Sequence, residues 1–555
     1  MRRILFLSLA LMALLGFVAP PDVLAQAAAP QPKFTITGLV DNLATYSRNV
    51  SNADALFNKQ DKQFYGRTRG RFDIIGEVGQ AKAVFGFELD EVYGQTGSAN
   101  STIQTNPGGA STTTVSTQFG TDGSFSLNTD NRGQLEIKWL YVEFPAPLLP
   151  FPMIVRVGAQ PFATAASYKL ATYANGDFAG VNLYSTFGPT LKLQTTYVAV
   201  EENLVGTGTS TGHSGFFGYT GSSSQTQNRG DDYAFILSPE FTPMKGLDIK
   251  PMFSHFHAAG TTSVSARQAR GGINNSTNWT NTDGTSRGGV NEDRVTVGVD
   301  ARYRSGAFSF SPSVYYQFGS RNVVNATTNA AFVDSGAAPN HRYNARLDAW
   351  FVDLRAGYQL GPVLLEGLGV YTTGNSARNN TLGRVGYFQP LDLDTGYLAD
   401  WGTQLTSLGL DYLNAMNEAG GRMAYTGVAI GWDKYGRGQL GLKATYAFTP
   451  TLSLMAGVNG HWTAEAIQKS ALPTAGAGIT PVFAFRGTTS KSTSQYIGTE
   501  FMSVLSWRFA PGLAWDNAVG YMIMGPALDA VTDPAAGPRN TTDVSIVTSR
   551  VRFSF

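Results

Sequence analysis

The 555-residue sequence contains no cysteine, which removes disulfides, thiolate metal sites and lipidated cysteines as ways of holding or anchoring the chain. It is also poor in charge. Asp, Glu, Lys and Arg make up 15% of residues, and 41 Lys+Arg against 40 Asp+Glu leave a net charge of +1. Nucleic-acid binding needs a basic footprint that this balance does not supply, so no nucleic-acid partner is expected. Beyond the first 25 residues no run approaches the roughly 18 to 20 apolar residues of a spanning helix, which excludes a helical membrane protein. Wholesale disorder is excluded too, because 42% of residues are hydrophobic and disorder needs low hydrophobicity with high net charge.

What is abundant is glycine and aromatic side chain, with 63 Gly, 34 Phe and 24 Tyr. The chain opens with Arg2 and Arg3, an apolar stretch from Ile4 to Val18, and the small-residue pattern Val23-Leu24-Ala25. That order reads as a secretory signal peptide over 1–25, cut before Gln26, followed by a short linker over 26–33. From Phe34 onward the dominant signal is period-two alternation in segments of about 10 to 14 residues, the spacing at which side chains share one face of a strand. In YGRTRGRFDIIGEVG, Phe72, Ile74 and Val78 oppose Arg67, Arg69, Arg71 and Asp73. In AKAVFGFELDEVYG, Phe85, Phe87 and Leu89 oppose Lys82, Glu88 and Asp90, and in DRVTVGVDARYRSG, Val295, Val297 and Val299 oppose Asp300, Arg302 and Arg304. The last segment, TDVSIVTSRVRFSF, sets Val547, Val551, Phe553 and Phe555 against Arg550 and Arg552.

Strands of soluble sandwiches usually run about five or six residues, whereas roughly ten suit a tilted bilayer crossing. The connectors sharpen the point. Short turns such as FGPT, RSGA, LGPV and FTPT alternate with long Gly/Ser/Thr/Asn-rich stretches, the asymmetry of outer-membrane barrels. The candidate segments come to nineteen, including one at 422–433, and a further strand at Thr403 to Met416 would make twenty. A barrel with both ends on one side needs an even number. The expectation is one all-β domain over 34–555, a transmembrane antiparallel up-and-down β-barrel of about 18 strands, with 16 to 20 allowed. A barrel of this size leaves an aqueous lumen.

Three segments resemble the bacterial outer-membrane porin superfamily, and the broader layout is similar to its large substrate-selective and alginate-export-like barrels. They are the terminal RVRFSF, the opening FTITGLVDN, and VRVGAQPFATAASYKLATYANGDFAGVNLYSTFG with its Gly158-Ala159-Gln160 run. The resemblance implies a non-enzymatic passive diffusion channel, often a homotrimer, embedded in the Gram-negative outer membrane. Its partners would be the lipid bilayer and small hydrophilic solutes or ions, and it would need no cofactor. It also implies a constriction loop over 162–176 that folds into the pore, with Phe162, Tyr168, Lys169, Tyr173 and Asp177 as its candidate residues.

On the polar faces, the candidate pore lining is Arg67, Arg69, Arg71, Lys82, Glu88, Asp90, Arg156, Asp300, Arg302, Arg304, Arg346 and Asp348. Arg67, Arg69 and Arg71 share one strand face and form a ladder, and charge ladders set ion preference in pores; a mild anion preference is the expectation. Aromatic residues near strand ends (Tyr65, Tyr93, Trp139, Tyr141, Trp350, Trp462, Trp507, Trp515) are expected at the lipid interfaces. Alternative functions are a dedicated exporter of an acidic polysaccharide, which would want a continuous basic lumen, a barrel-embedded hydrolase, and an occluded structural barrel. None of the five histidines has an obvious serine partner.

Other motifs are weak. Gly208 to Gly212 fits G-x-S-x-G without the strand-to-helix context that a nucleophile elbow requires. Gly436 to Gly441 fits G-x-G-x-x-G but leads into a strand, so no helix N-terminus is there to receive a pyrophosphate. His255 and His257 share a strand face and could share a metal, with no third ligand near in sequence. Asp392, Asp394 and Asp400 offer oxygen ligands for Ca²⁺ in an external loop, at a spacing that is not an EF-hand.

Overall fold

A computed structural model describes residues 30–48, 62–93, 123–125, 134–161 apart from 148, 173–201 apart from 176, 213–214, 218–219, 229–260, 292–325, 341–374, 384–393 apart from 390, 401, 436–465, 468–469, 490–491, 494–533 apart from 529, 537–539 and 543–555. One sheet of 20 hydrogen-bonded segments dominates. Two of these, Gly123–Phe125 and Arg384–Val385, are short pieces that pair in parallel at a strand end, and the remaining eighteen form an antiparallel ring. The strands are β1 Lys33–Arg48, β2 Lys62–Val78, β3 Ala81–Tyr93, β4 Gln134–Pro145, β5 Met153–Pro161, β6 Asp177–Phe187, β7 Leu191–Glu201, β8 Arg229–Met244 and β9 Leu247–Gly260. They continue as β10 Glu292–Ser305, β11 Phe308–Asn325, β12 His341–Leu360, β13 Val363–Thr372, β14 Arg437–Thr449, β15 Leu452–Trp462, β16 Tyr496–Ala510, β17 Leu513–Met524 and β18 Val544–Ser554.

Each strand pairs with its sequence neighbour, and β1 closes on β18 over Leu39↔Ser554 to Arg48↔Ser545. Beyond that register the Gly38 N–H donates to the Phe555 carbonyl at 2.9 Å, and the Phe555 N–H donates back at 3.0 Å. The expected strand at 422–433 has no slot in the wall, because β13 pairs directly with β14 from Val363↔Tyr446 to Thr372↔Arg437. Both that segment and 403–416 lie outside the described residues, and the even count comes from removing the first, not from adding the second. Residues 1–29, with the expected signal peptide, also lie outside them.

One end of the ring is joined by tight turns. Gly246, with φ 85°, links β8 to β9, and a Cβ there would press on the Arg304 carbonyl, so only glycine fits without strain. The other end carries the long connections, as in bacterial outer-membrane barrels with short periplasmic turns.

The two faces of the wall differ in polarity as the alternation requires. Ile74, Leu140, Phe253, Leu442, Phe501, Val519 and Val547 are exposed on the outside, while Thr45, Gln194, Thr296, Gln317 and Thr548 are buried within. An exterior of this kind suits hydrocarbon, where a closed barrel satisfies every backbone polar group. Leu442, 66% exposed at the middle of β14, should therefore tolerate charge poorly. Leu442→Arg is expected to cost about 2–4 kcal/mol in lipid vesicles, the cost of an arginine on the lipid face near the midplane, measured by denaturant titration of the refolded barrel. An unchanged midpoint would mean that this face does not meet lipid.

Candidate functional site: the charged inner wall

The inner wall is organised by cross-strand register. On β2, Arg67, Arg69 and Arg71 point inward in a row, as the spacing predicts, and face β3 at Val92, Asp90 and Glu88. Glu88 is buried and holds three cations: Arg69 Nη2 at 3.2 Å, Lys138 Nζ at 3.7 Å, and Arg71 Nε in a direct hydrogen bond. Lys138 joins this cluster because β4 carries a bulge opposite Gly86 and Phe87, which inserts one residue and resets the alternation. Asp90 sits opposite Arg69 in the backbone register.

Neighbouring strands repeat the pattern. Asp41 on β1 accepts from Arg552 Nη2 at 2.7 Å, and Asp516 on β17 accepts from Arg550 Nη2 at 2.7 Å. Lys82 Nζ lies 2.8 Å from Glu143, whose other oxygen takes Arg156 Nη2 at 2.6 Å. The Arg156 guanidinium also stacks over Tyr141 and Tyr184 at 4.7 and 5.5 Å from their ring centres, a cation–π contact that fixes its plane. On the other side of the ring, Arg302 pairs with Asp248 at 2.6 Å, and Asp300 accepts from the Tyr315 hydroxyl at 2.6 Å. Arg304 is exposed at the tight-turn end.

In most of these pairs the base is the member that meets water. Side-chain exposures are 37% for Arg71 against 4% for Glu88, and 35% for Arg552 against 3% for Asp41. Arg355 keeps the same order over the fully buried Asp353 on β12. Lys443 and Glu366 reverse it.

The lumen is narrowed by segments from two of the long connections. From the β5–β6 connection, Tyr173 is fully buried against the inner wall, its hydroxyl 2.8 Å from Ser254 Oγ on β9. Ala174 and Asn175 pair in parallel with Asp392 and Leu393 of the β13–β14 connection, and the Leu391 N–H donates to the Tyr173 carbonyl at 2.7 Å. Phe388 and Trp401 from that second connection join Tyr173 on an apolar patch formed by Ile236, Met252, Tyr315, Phe351, Leu368 and Val370. Polar anchors hold these segments down. Gln389 exchanges two bonds with Gln317 at 2.7 Å each, and the Trp401 carbonyl accepts from Asn459 at 2.9 Å while Lys443 Nζ lies 4.3 Å over its ring.

The β8–β13 side of the lumen is thus covered and apolar at this level, while the charged side spans β17, β18 and β1 to β5. Of the expected constriction residues, Tyr173 is in the lumen and the Asp177 backbone is in β6; Phe162, Tyr168 and Lys169 lie outside the described residues.

Two expected lining residues face the other way. Arg346 and Asp348 project outward and pair with each other at 3.3 Å, because Ala345, Leu347, Ala349 and Phe351 take the inner positions. Ala345 and Leu347 pack there on Val385 and Tyr387. A folded-in segment makes this stretch of inner face apolar, so polarity no longer tells inside from outside. Tyr141 is corrected in the opposite sense: expected at lipid, it is buried inside under Arg156. Trp139 shares its inward parity, with its ring against Gly86 and beside Asp73. Trp350, Trp507 and Trp515 are exposed on the outside as expected.

His255 and His257 also face outward, and both meet Asp293 Oδ1, at 3.3 and 2.7 Å. The Asp392 backbone lies in the pairing with Ala174, placing the first residue of the calcium candidate at an inward-folded segment and not in an external loop; Asp394 and Asp400 lie outside the described residues. Gly436 to Gly441 leads into β14, as its context requires. Arg550 and Arg552 have a clear sequence signal in the alternation of β18, whereas Asp41, Lys138, Trp401 and Gln389 carry none that alternation could expose.

No protein-family model matches the sequence, and no curated protein matches it. Among solved structures it is similar to OccK5 (OpdH) of Pseudomonas aeruginosa, with a TM-score of 0.43 and 10% identity over 94% of this chain and 98% of that one. It is similar to OccAB1 of Acinetobacter baumannii at a TM-score of 0.45 and 10% identity, covering 94% and 96%. It is similar to the outer membrane protein OprD of Pseudomonas aeruginosa at 0.43 and 8%, covering 96% and 95%.

If the anchored segments narrow the water path, Tyr173→Ala combined with Trp401→Ala should raise single-channel conductance in planar bilayers. An unchanged conductance would show that the narrowest point lies elsewhere.

Proposed function

We propose that the chain forms a water-filled channel of the Gram-negative outer membrane for passive diffusion of small hydrophilic solutes or ions, with a mild preference for anions. The observation that carries the preference is the ordering of the ion pairs on the charged arc. Glu88 and Asp41 lie behind Arg69, Arg71 and Arg552, so a solute in the lumen meets guanidinium groups first. Bases and acids are close to balance, yet the field at the water surface depends on which member is nearer, and charged rings and ladders set permeant choice in this way.

The channel is read as non-enzymatic. The hydrogen bonds of His255, His257 and His461 go to carboxylates, with His461 at 3.1 Å from Glu500 and the other two at Asp293. Export of an acidic polymer is the weaker reading. It asks for an uninterrupted basic track, and the apolar patch under Tyr173, Phe388 and Trp401 interrupts it.

The test is reversal potential under a salt gradient. Arg69→Ala with Arg71→Ala should leave Glu88 with Lys138 alone and move the potential toward cation selectivity. No movement would remove the ladder from any part in selectivity.

A further inference from the structure

One patch of the inner wall is polar, covered and incompletely bonded. It lies where β14, β15 and β16 approach the end with the long connections, and the register sets its members in two rows. Gln439 faces His461 in the first row, and Gly441, Asn459 and Glu500 make the second. His461 Nε2 lies 3.1 Å from Glu500 Oε2, and the two side chains are only 2% and 1% exposed. Beyond that bond, His461 Nδ1, Glu500 Oε1, Asn459 Oδ1 and both amide atoms of Gln439 are buried with no hydrogen-bond partner within the protein. Polar groups left in this condition are costly, so the patch is poised to take up a further proton or water.

The charges around it are few. Arg437, on the same face of β14 as Gln439, is buried and its charge reaches His461. β13 brings Thr372, Val370 and Leu368 to the adjoining positions, and β17 brings Met524 and Met522; none of these titrates. Lys443 and Glu366 stand one row lower and pair with each other at 3.3 Å. Glu500 is thus the one carboxylate on the two rows. With one proton or none on the histidine and glutamate together, a carboxylate or a neutral pair faces Arg437. A proton on each removes the carboxylate and sets an imidazolium beside the Arg437 guanidinium, and like charges confined away from water repel strongly.

The second row carries Trp401 of the β13–β14 connection. Asn459, register partner of Glu500 and two residues before His461, donates from Nδ2 to the Trp401 carbonyl at 2.9 Å. Gly441 lies beneath the indole, where a Cβ would come within 3.2 Å of the ring. A change at the pair is therefore passed to the Trp401 seat through one side chain.

We infer that His461 and Glu500 form a proton-binding site that latches the Trp401 segment against the wall: the segment stays seated while the pair holds one proton or none, and is released when both groups are protonated. Repulsion between His461 and Arg437 then draws water into the patch, and hydration frees Asn459 from the Trp401 carbonyl. The inference rests on the channel reading for its effect on conductance, while the seating of Trp401 can be followed separately.

The test uses the full barrel, refolded in detergent for fluorescence and in planar bilayers for conductance, from about pH 8 to about pH 4, a range that spans the ordinary values of histidine and glutamate. Acrylamide quenching of wild type, less that of Trp401→Phe, isolates the Trp401 signal. On the acid side Trp401 should lose its protection from the quencher and single-channel conductance should rise, both reversibly. His461→Gln should abolish both responses, with His461→Asn as the second uncharged variant if the first does not fold. Glu500→Gln should keep them, because its amide stands for the protonated carboxyl and His461 still titrates. His255→Gln with His257→Gln, on the outer face, should keep them as well.

Trp401 protection that ignores pH in wild type, a response that survives in His461→Gln, or one that is lost in Glu500→Gln would each overturn the latch. Trp401 exposure that follows pH in a barrel that conducts nothing would overturn the channel reading and leave the latch standing.

Discussion

Every backbone donor and acceptor in a hydrocarbon layer must find its partner within the protein, and in this chain that demand is met by one ring of antiparallel pairing closed between β1 and β18. Most other features follow from the closure. Closure removes the sheet edges that would otherwise invite pairing with other chains. It brings the start of β1 and the end of β18 to the same side, which fixes the parity of the strand count. It also assigns alternate side chains to two solvents, so a sequence of modest charge is sufficient: the charges are needed on one face only.

The interior then solves a second problem. Charged groups in a confined space need partners, since burying an unpaired ion is costly, and the antiparallel register offers a partner on the adjacent strand at each level. Asp41, Glu88, Glu143 and Asp516 are used in this way. The wall also keeps some of its charge exposed to the interior. The long arginine stem allows both, because the guanidinium reaches past its carboxylate toward the lumen while its methylenes cover the wall. On the other half of the ring the same space is filled by chain, and there Tyr173, Phe388 and Trp401 make a small dry core inside an otherwise polar cylinder.

That internal core explains what the sequence could and could not disclose. Alternation alone located β2, β3, β10 and β18 and put Arg67, Arg69, Arg71, Glu88, Asp300 and Arg302 on the inner face, because each of those strands has an apolar outer side and a polar inner one. The rule failed at Arg346 and Asp348, where both solvents change: the inner side of β12 is covered by Val385 and Tyr387, and the outer side has passed beyond the aromatic level. It failed at Trp139 and Tyr141 for a different reason, since an aromatic ring serves equally at a lipid interface and under the Arg156 guanidinium. A bulge such as the one at Lys138 has no signature in periodicity at all. The surplus strand at 422–433 shows the last limit: alternation describes a segment's two faces, not whether the ring has a place for it.

The seam between Gly38 and Phe555 has a consequence for how the molecule comes into being. β1 finds its second partner only when β18 is available, so the wall cannot be completed before that strand is made. Until then β1 has one unpaired side and the apolar faces are uncovered, which are the conditions under which chains aggregate. That last strand therefore acts as a lock on the order of events, because the ring can close only once β18 is in place.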